Sequence, residues 1–287
     1  MKLLFIVLAT LNLTTISLKA EPVTFQATTA NIAAYNLAGF NPFLDSNAET
    51  FANAINDIDP ELIALVEIYS DSFIDDLTYK LNSKGACYES KILNQTAPMN
   101  IAVVYKCDVE VTNPRLIPGS DNRNPYLRKA FAIDAKIGNF DFILIALHLQ
   151  AGSGVANRNV RDSQARAIAS FIKSETTGDE KDVLVVGDYN MIPVEDQTNF
   201  DNMNPDKYLN FVSDKLAGQN SHIKSSGGGS LLDGYAISKD HTGEYIAESI
   251  RIIPMHAILN KSLSEYIEEV SDHLPLEAMF RIIKDDD

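Results

Sequence analysis

Val183-Leu184-Val185-Val186-Gly187-Asp188-Tyr189-Asn190 is the stretch on which the fold class turns. Four consecutive aliphatic residues, three of them β-branched, suit a short strand covered on both faces. The run stops at a glycine and releases two polar residues spaced two apart. That spacing puts Asp188 and Asn190 on one face of an extended segment, at the point where a buried strand emerges.

The same signature recurs along the chain. Leu62-Ile63-Ala64-Leu65-Val66 runs into Glu67, Ile145-Ala146-Leu147 runs into His148, and Ser271-Asp272-His273-Leu274-Pro275 opens the last apolar run, Leu276 to Ile283. Polar groups at such places are rarely buried without a partner. Grouped at one edge, Glu67, Asp188, Asn190 and Asp272 would offer hard oxygen ligands suited to Mg²⁺ or Mn²⁺ rather than zinc. Taken singly, each has an ordinary reading: a turn for Gly-Asp, a strand-end surface charge for Glu67, a hydrogen-bonded core histidine for His148. Their joint occurrence in this order favours a site.

Between these strands, Val23 to Leu37 reads as a strand. Ser46 with Glu49 makes a capping box for a helix with Phe51, Ala54, Ile55 and Ile58 on one face, stopped by Asp59-Pro60. A second helix carries Phe73, Ile74, Leu77 and Leu81. Arg128 to Ala135 and Phe140 to Leu149 read as strands joined through Gly138-Asn139, and Val160 to Ser174 as a helix. Leu209, Val212 and Leu216 suggest one more helix before Gly227-Gly228-Gly229, followed by strands at Leu231 to Ser238 and Ile250 to Ile253. Helices and many strands without strict βαβ alternation predict a layered α/β or α+β architecture.

The 287 residues, 45% hydrophobic and 22% charged, can bury one large core, so a single domain over residues 21–287 is expected. Residues 1–20 carry Lys2, an uncharged run from Leu3 to Leu18 and the small Ala20 before Glu21, the pattern of a secretory signal; an uncleaved anchor is the alternative. The expectation is a secreted or periplasmic protein with no transmembrane segment after cleavage. The formal charge of −15 would become −17 once Lys2 and Lys19 are removed, which argues against binding nucleic acid or anionic membranes through net charge alone. Cys87 and Cys107 are the two cysteines, and a hairpin centred on position 97 would set them opposite each other. Two unpaired buried thiols are the other possibility.

These motifs resemble the endonuclease/exonuclease/phosphatase superfamily and, within it, the deoxyribonuclease I-like branch. The resemblance runs from Ala33 to Phe280. It rests on Ile32-Ala33-Ala34-Tyr35-Asn36-Leu37, Ile63-Ala64-Leu65-Val66-Glu67-Ile68, Ile145-Ala146-Leu147-His148, Gly187-Asp188-Tyr189-Asn190 and Ser271-Asp272-His273, with a looser match at Leu232-Asp233-Gly234-Tyr235. It implies an α+β fold, a four-layered α/β sandwich of two packed mixed β-sheets flanked by helices. It also implies in-line attack of water on a phosphodiester, helped by Mg²⁺ or Mn²⁺, with Ca²⁺ as a structural ion. Glu67, Asn36 and Asp272 would hold the metal, and His273, oriented by Asp233, would be the general base. His148 would protonate the leaving oxygen or stabilise its charge, while Asp188 and Asn190 hold phosphate and nucleophile in line. Arg128, in Asn124-Pro125-Tyr126-Leu127-Arg128-Lys129, is similar to the family arginine that touches backbone phosphates.

One departure concerns His148: the stretch Gln95-Thr96-Ala97-Pro98-Met99-Asn100, where the family's carboxylate partner of that histidine would lie, has none. The implied function is a secreted, monomeric DNA endonuclease of low sequence specificity, with DNA favoured over RNA. The alternative is a phosphodiesterase or phosphatase of the same superfamily acting on phospholipid or inositol phosphate. Arg115, Arg123, Arg128 and Lys129, with Arg158, Arg161 and Arg166, read as two basic groups suited to a polyanion. A catalytically dead binding module is a third reading, against which both motif histidines and every acidic position stand. His222, His241 and His256 fall outside the motifs.

Overall fold

The structure, a computed structural model, describes residues 28–38 and 48–285. The signal-like segment 1–20, the first part of the strand read from Val23, and Ser46 of the capping box lie outside them.

Two chain segments build the centres of two sheets by the same device. Strand β1 (Thr29–Asn36), helix α1 (Ala48–Ile58) and strand β2 (Leu62–Ile68) form a parallel crossover. After helix α2 (Asp71–Ser83), strands β3 (Tyr88–Ile92) and β4 (Asn100–Lys106) return as a hairpin, and β5 (Glu110–Leu116) and β6 (Phe131–Ile137) lead into the second sheet. There β7 (Phe140–His148), helix α3 (Val155–Glu175) and β8 (Val183–Asp188) make the second parallel crossover. Helix α4 (Gln197–Met203), β9 (Leu209–Phe211), the small hairpin β10 (His222–Ile223) and β11 (Gly229–Ser230), and β12 (Asp233–Ser238) follow. The chain closes with β13 (Arg251–Ile252), α5 (Met255–Ile258), α6 (Leu263–Glu269) and β14 (Leu276–Arg281).

Among the described residues there are two six-stranded mixed sheets, ordered β13-β14-β1-β2-β4-β3 and β5-β6-β7-β8-β12-β9. Strand alternation assigns their faces. Ile32, Ala34, Leu62, Ala64, Val103, Ile133, Leu144, Ala146, Leu184, Val186, Tyr235 and Phe280 form the core between the sheets. The opposite parity on β1 and β2 packs under α1 and α2 through Phe51, Ile55, Phe73 and Leu77. Ile143, Ile145, Val183 and Val185 pack under α3 through Ala165, Ile168 and Ile172. The result is a four-layered sandwich of helices, sheet, sheet and helices, as the motifs imply.

Several local expectations are corrected. The helix expected around Leu209 to Leu216 is the short strand β9 followed by a 3-10 turn, Val212–Leu216, because β9 adds to the edge of β12. The strand expected from Arg128 begins at Phe131, since Arg128 is committed to side-chain bonds described below. The Gly138-Asn139 connection is as expected, with Ile137 facing Phe140 across a two-residue turn. The β3–β4 register pairs Tyr88 with Lys106, symmetric about position 97, and Cys87 and Cys107 are disulfide-bonded. No described helix is long and apolar enough to cross a membrane.

Candidate active site

Every strand that borders the site is apolar on its inward face until its last inward position. Asn36 continues the Ile32 and Ala34 parity to the end of β1, His148 continues Leu144 and Ala146 on β7, and Asp188 continues Leu184 and Val186 on β8. These are the carboxyl ends of the parallel strands, where open α/β sheets present their ligand crevices. Asp233 opens β12 opposite Asp188, and Asp272-His273 precede β14, the antiparallel neighbour of β1. Six polar side chains therefore converge at one edge of the sandwich.

Glu67 reaches this edge by breaking the alternation. Ile63 and Leu65 face the helices, so Glu67 would follow them outward. A bulge against β4 between Leu65 and Ile68, with Glu67 at a φ of 62°, turns it inward beside Val66 and returns Ile68 to the helix side. At Gly187, φ is 122° and an added Cβ would lie 2.2 Å from the Leu147 carbonyl oxygen, so only glycine lets β8 pass this close to β7 before Asp188.

At the centre, Asn36 Nδ2 donates to Glu67 Oε1 at 3.2 Å and to Asp188 Oδ2 at 3.0 Å. The Ala38 amide donates to Asn36 Oδ1, which fixes the orientation of the side-chain amide. His148 Nε2 stands 3.5 Å from Glu67 Oε1 and 3.6 Å from Asp188 Oδ2. The Asn190 amide N–H donates to Asp188 Oδ1 at 2.8 Å, while its side chain donates to the Leu149 carbonyl.

His273 is held from all sides. Its Nδ1 and Asp233 Oδ2 are 2.7 Å apart, and its Nε2 points toward Asp188 Oδ2 at 3.8 Å. Ser271 Oγ accepts the His273 amide and donates to the Asn36 carbonyl, and Tyr266 donates to the His273 carbonyl. Ser221 Oγ accepts the amides of Leu232 and Asp233. These bonds tie β1, β12 and the Ser271–His273 turn into one frame.

Burial and mutual charge set the protonation states. Burial, aided by Asp233 and Glu67 and opposed by His273, raises Asp188 to about 7. Burial also raises Glu67 above the ordinary carboxylate range, against the Asn36 hydrogen bond and the charges of His273 and Arg128. At His273 burial disfavours the charged ring, but Asp233, Asp188 and Asp272 outweigh it and carry the imidazole to about 10. His148 is held well below its ordinary value by burial, then by Arg128 and His273. Its Nδ1 is buried and has no hydrogen-bond partner among the described residues. Gln95, from the stretch that lacks the family carboxylate, instead clamps the backbone of Lys129, accepting from its amide at 2.6 Å and donating to its carbonyl at 3.0 Å.

The other expected residues fall in two groups. Arg128 is not a solvated charge: only 7% exposed, it donates to the carbonyls of His148 and Leu149 at 3.1 and 3.4 Å, directly behind the reactive cluster. Asp272 is set beyond His273, with Oδ2 3.6 Å from His222 Nε2. The ligand-distance group containing Glu67 takes in His148 and Asp188 rather than Asp272. His222 was not legible as a neighbour of the site, because it belongs to none of the strand-end motifs. The two basic groups read from the sequence are largely spent inside the protein. Arg115 pairs with Asp134 and Glu175, Arg158 and Arg161 pair with Asp196, and Lys129 pairs with Asp121.

The donor set suits a hard divalent cation. Two buried carboxylates, bridged by one amide and held above their ordinary range by desolvation, present oxygen ligands that a hard divalent cation would stabilise in their charged form. The arrangement can hold such an ion next to a histidine–aspartate pair that can accept a proton and a neutral imidazole that can donate a hydrogen bond.

Comparison with known proteins agrees with this geometry. The model of the Endonuclease/Exonuclease/phosphatase family matches residues 33–243. No curated protein matches the chain. Among solved structures, a humanised D. rerio TDP2 superposes with a TM-score of 0.69 at 15% identity, covering 89% of this chain and 100% of that one. The 3′ phosphatase NExo from Neisseria, bound to a product DNA hairpin, gives 0.63 at 17% identity over 88% and 99% of the two chains. The human Nocturnin catalytic domain gives 0.59 at 17% over 88% and 93%. At these identities the structural likeness establishes the fold, and the family match covers more than two thirds of the sequence. This chain belongs to the endonuclease/exonuclease/phosphatase family of metal-dependent phosphodiester hydrolases.

Proposed function

We propose that the protein is an exported DNA endonuclease of low sequence specificity that hydrolyses phosphodiester bonds with a divalent cation, Mg²⁺ or Mn²⁺. The single observation that carries the chemistry is the buried Asp233–His273 pair, whose free Nε2 is aimed at the Asp188–Asn36–Glu67 cluster.

Glu67 and Asp188 would hold the cation, with Asn36 bracing both carboxylates and Asp272 adding its charge from beyond His273. The cation, when bound, polarises the phosphoryl oxygen and neutralises charge that develops on the phosphate. Once the proton that His273 carries in the metal-free protein has been driven off by a bound cation, His273 Nε2 would take a proton from the attacking water as its oxygen bonds to phosphorus, and Asp233 keeps Nδ1 protonated and stabilises the ring that results. The bond from phosphorus to the leaving oxygen breaks on the opposite side, and that oxygen takes its proton from solvent water. His148, neutral and without a carboxylate at Nδ1, stabilises that oxygen with an Nε2–H hydrogen bond rather than by giving up a proton. Arg128 fixes the strand end that carries His148 and places its charge behind the phosphate.

Two features favour a polynucleotide. Tyr69, two residues past Glu67, is 61% exposed, and Tyr126, two residues before Arg128, is 79% exposed; such rings suit base stacking. A depression beside the β3–β4 hairpin is lined by Gln95, Arg123, Pro125 and the Lys129–Asp121 pair, with Arg123 the cation that would meet a neighbouring phosphate. The Cys87–Cys107 disulfide and the signal-like residues 1–20 support export. The test is a substrate panel of plasmid DNA, RNA, sphingomyelin and inositol phosphates with Mg²⁺. Plasmid nicking is expected, and lipid or inositol phosphate hydrolysis without nicking refutes the nuclease reading.

A further inference from the structure

Beside the acidic cluster lies a second set of ligand atoms with different chemistry. His222 Nε2 is 3.6 Å from Asp272 Oδ2, and the His222 and His273 rings meet edge-on with centroids 5.0 Å apart. One ligand atom from each of His222, Asp272 and His273 lies within 4.8 Å of the other two. We propose that these three residues form a transition-metal site of the Zn²⁺ class, distinct from the carboxylate site at Glu67 and Asp188.

Donor type separates the two sites. Two imidazoles and one carboxylate suit Zn²⁺ and its neighbours and suit Mg²⁺ poorly, whereas the Glu67–Asp188 oxygens have the opposite preference. His273 Nδ1 is engaged by Asp233, which leaves Nε2 as its ligand atom. A carboxylate behind an imidazole in this way is the usual outer support of a metal-binding histidine. Ligands about 2.0–2.2 Å from a tetrahedral ion stand roughly 3.4 Å from one another, so the observed 3.6 Å between His222 and Asp272 needs little adjustment.

The backbone around His222 is built to hold it there. His222 bridges His273, the Ile223 amide donates to the Asp272 carbonyl at 2.8 Å, and the Leu274 amide donates to the Ser221 carbonyl at 2.7 Å. On its other side His222 pairs with β11, where a Cβ on Gly229 would lie 1.9 Å from the His222 carbonyl oxygen. The glycine tract is therefore what allows the hairpin to close against His222. The His222 side chain is 24% exposed, which gives an ion a way in. Three protein donors with a further position open is the composition of an exchangeable zinc site.

The site itself rests on geometry, and its consequence rests on the role of His273 given above. An ion on His273 Nε2 displaces to solvent the proton that the ring carries there, and then occupies the lone pair that would take a proton from water. Zn²⁺ then inhibits Mg²⁺-dependent hydrolysis without displacing Mg²⁺ from Glu67 and Asp188.

The experiment titrates the purified protein, in excess Mg²⁺, with Zn²⁺ against a chromophoric chelator. It compares the wild type with His222→Ala and His222→Asn, and melting temperatures without zinc report that the variants fold. One ion per chain is expected in the wild type, with binding weaker by at least ~10-fold in both variants. The zinc concentration for half-inhibition should rise by the same factor, and zinc-free activity should stay unchanged. Wild-type zinc affinity in both variants, or no zinc bound by the wild type, overturns the site. Zinc binding that needs His222 yet leaves hydrolysis untouched overturns the base role of His273 and leaves the metal site standing.

Discussion

Cation binding at Glu67 and Asp188 must release protons, and the amount follows from the site's electrostatics. In the metal-free protein Asp188 titrates at about 7, so near pH 7 its carboxyl is about half protonated, and His273, at about 10, is charged. A divalent ion between the carboxylates drives the Asp188 proton off and works against the charge on His273. Release at pH 7 should therefore be about half a proton from Asp188, and up to about 1.5 if His273 also yields its own. Below pH 7 the apparent Mg²⁺ affinity should rise about tenfold per pH unit and then level off.

Stability follows from the same raised pKa, with the opposite dependence on pH. Because the folded pKa of Asp188 is raised, its contribution is fully present below the unfolded value of 3.8 and is lost as pH climbs through about 7. Over that window the metal-free melting temperature of the wild type should fall relative to Asp188→Asn, a comparison that removes the opposite trend from the buried His148, and saturating Mg²⁺ should cancel the fall. Isothermal titration calorimetry at one pH in two buffers of different ionisation enthalpy reads the proton count. A buffer-independent enthalpy, together with flat affinity from about pH 5.5 to 7, would refute the assignment of Asp188 as a desolvated ligand.

Asp233→Asn should lower kcat by about 10³–10⁴ with little change in KM, because the amide no longer fixes the ring that Asp233 now holds; steady-state kinetics on a phosphodiester decides it. Arg128→Ala should slow cleavage of DNA and of a small phosphodiester by similar factors, since the guanidinium sits behind His148 rather than out on the polymer path. Selective loss on DNA would place it at a distant phosphate. Opening the 20-residue Cys87–Cys107 loop by a double Ser substitution should cost about 3 kcal/mol, about 5 °C in Tm, with activity retained below the new transition.

Which of these features can be read from the residues depends on how local their causes are. The strand-end motifs were legible because a polar residue closing an apolar run is a local contradiction, and the sandwich resolves it by gathering those ends at one edge. The hairpin register about position 97 was legible for the same reason, since spacing alone sets a hairpin. The inward turn of Glu67 was not, because alternation assigns it to the helix side until the bulge is seen. The fate of the arginines was hidden as well. Arg158 and Arg161 find Asp196 from a different element, a pairing no local pattern announces. His222 arrives beside Asp272 through β-pairing across about fifty residues, and the Gly227-Gly228-Gly229 tract was its one visible trace.

Metal-assisted hydrolysis of DNA through His273 is tested by supercoiled-plasmid nicking with the wild type and His273→Ala, each with Mg²⁺ and with chelator. Nicking is expected from the wild type in Mg²⁺ and none in chelator, with a rate lower by at least ~10² for the folded His273→Ala protein. Nicking that survives chelation, or a His273→Ala rate close to wild type, would contradict it.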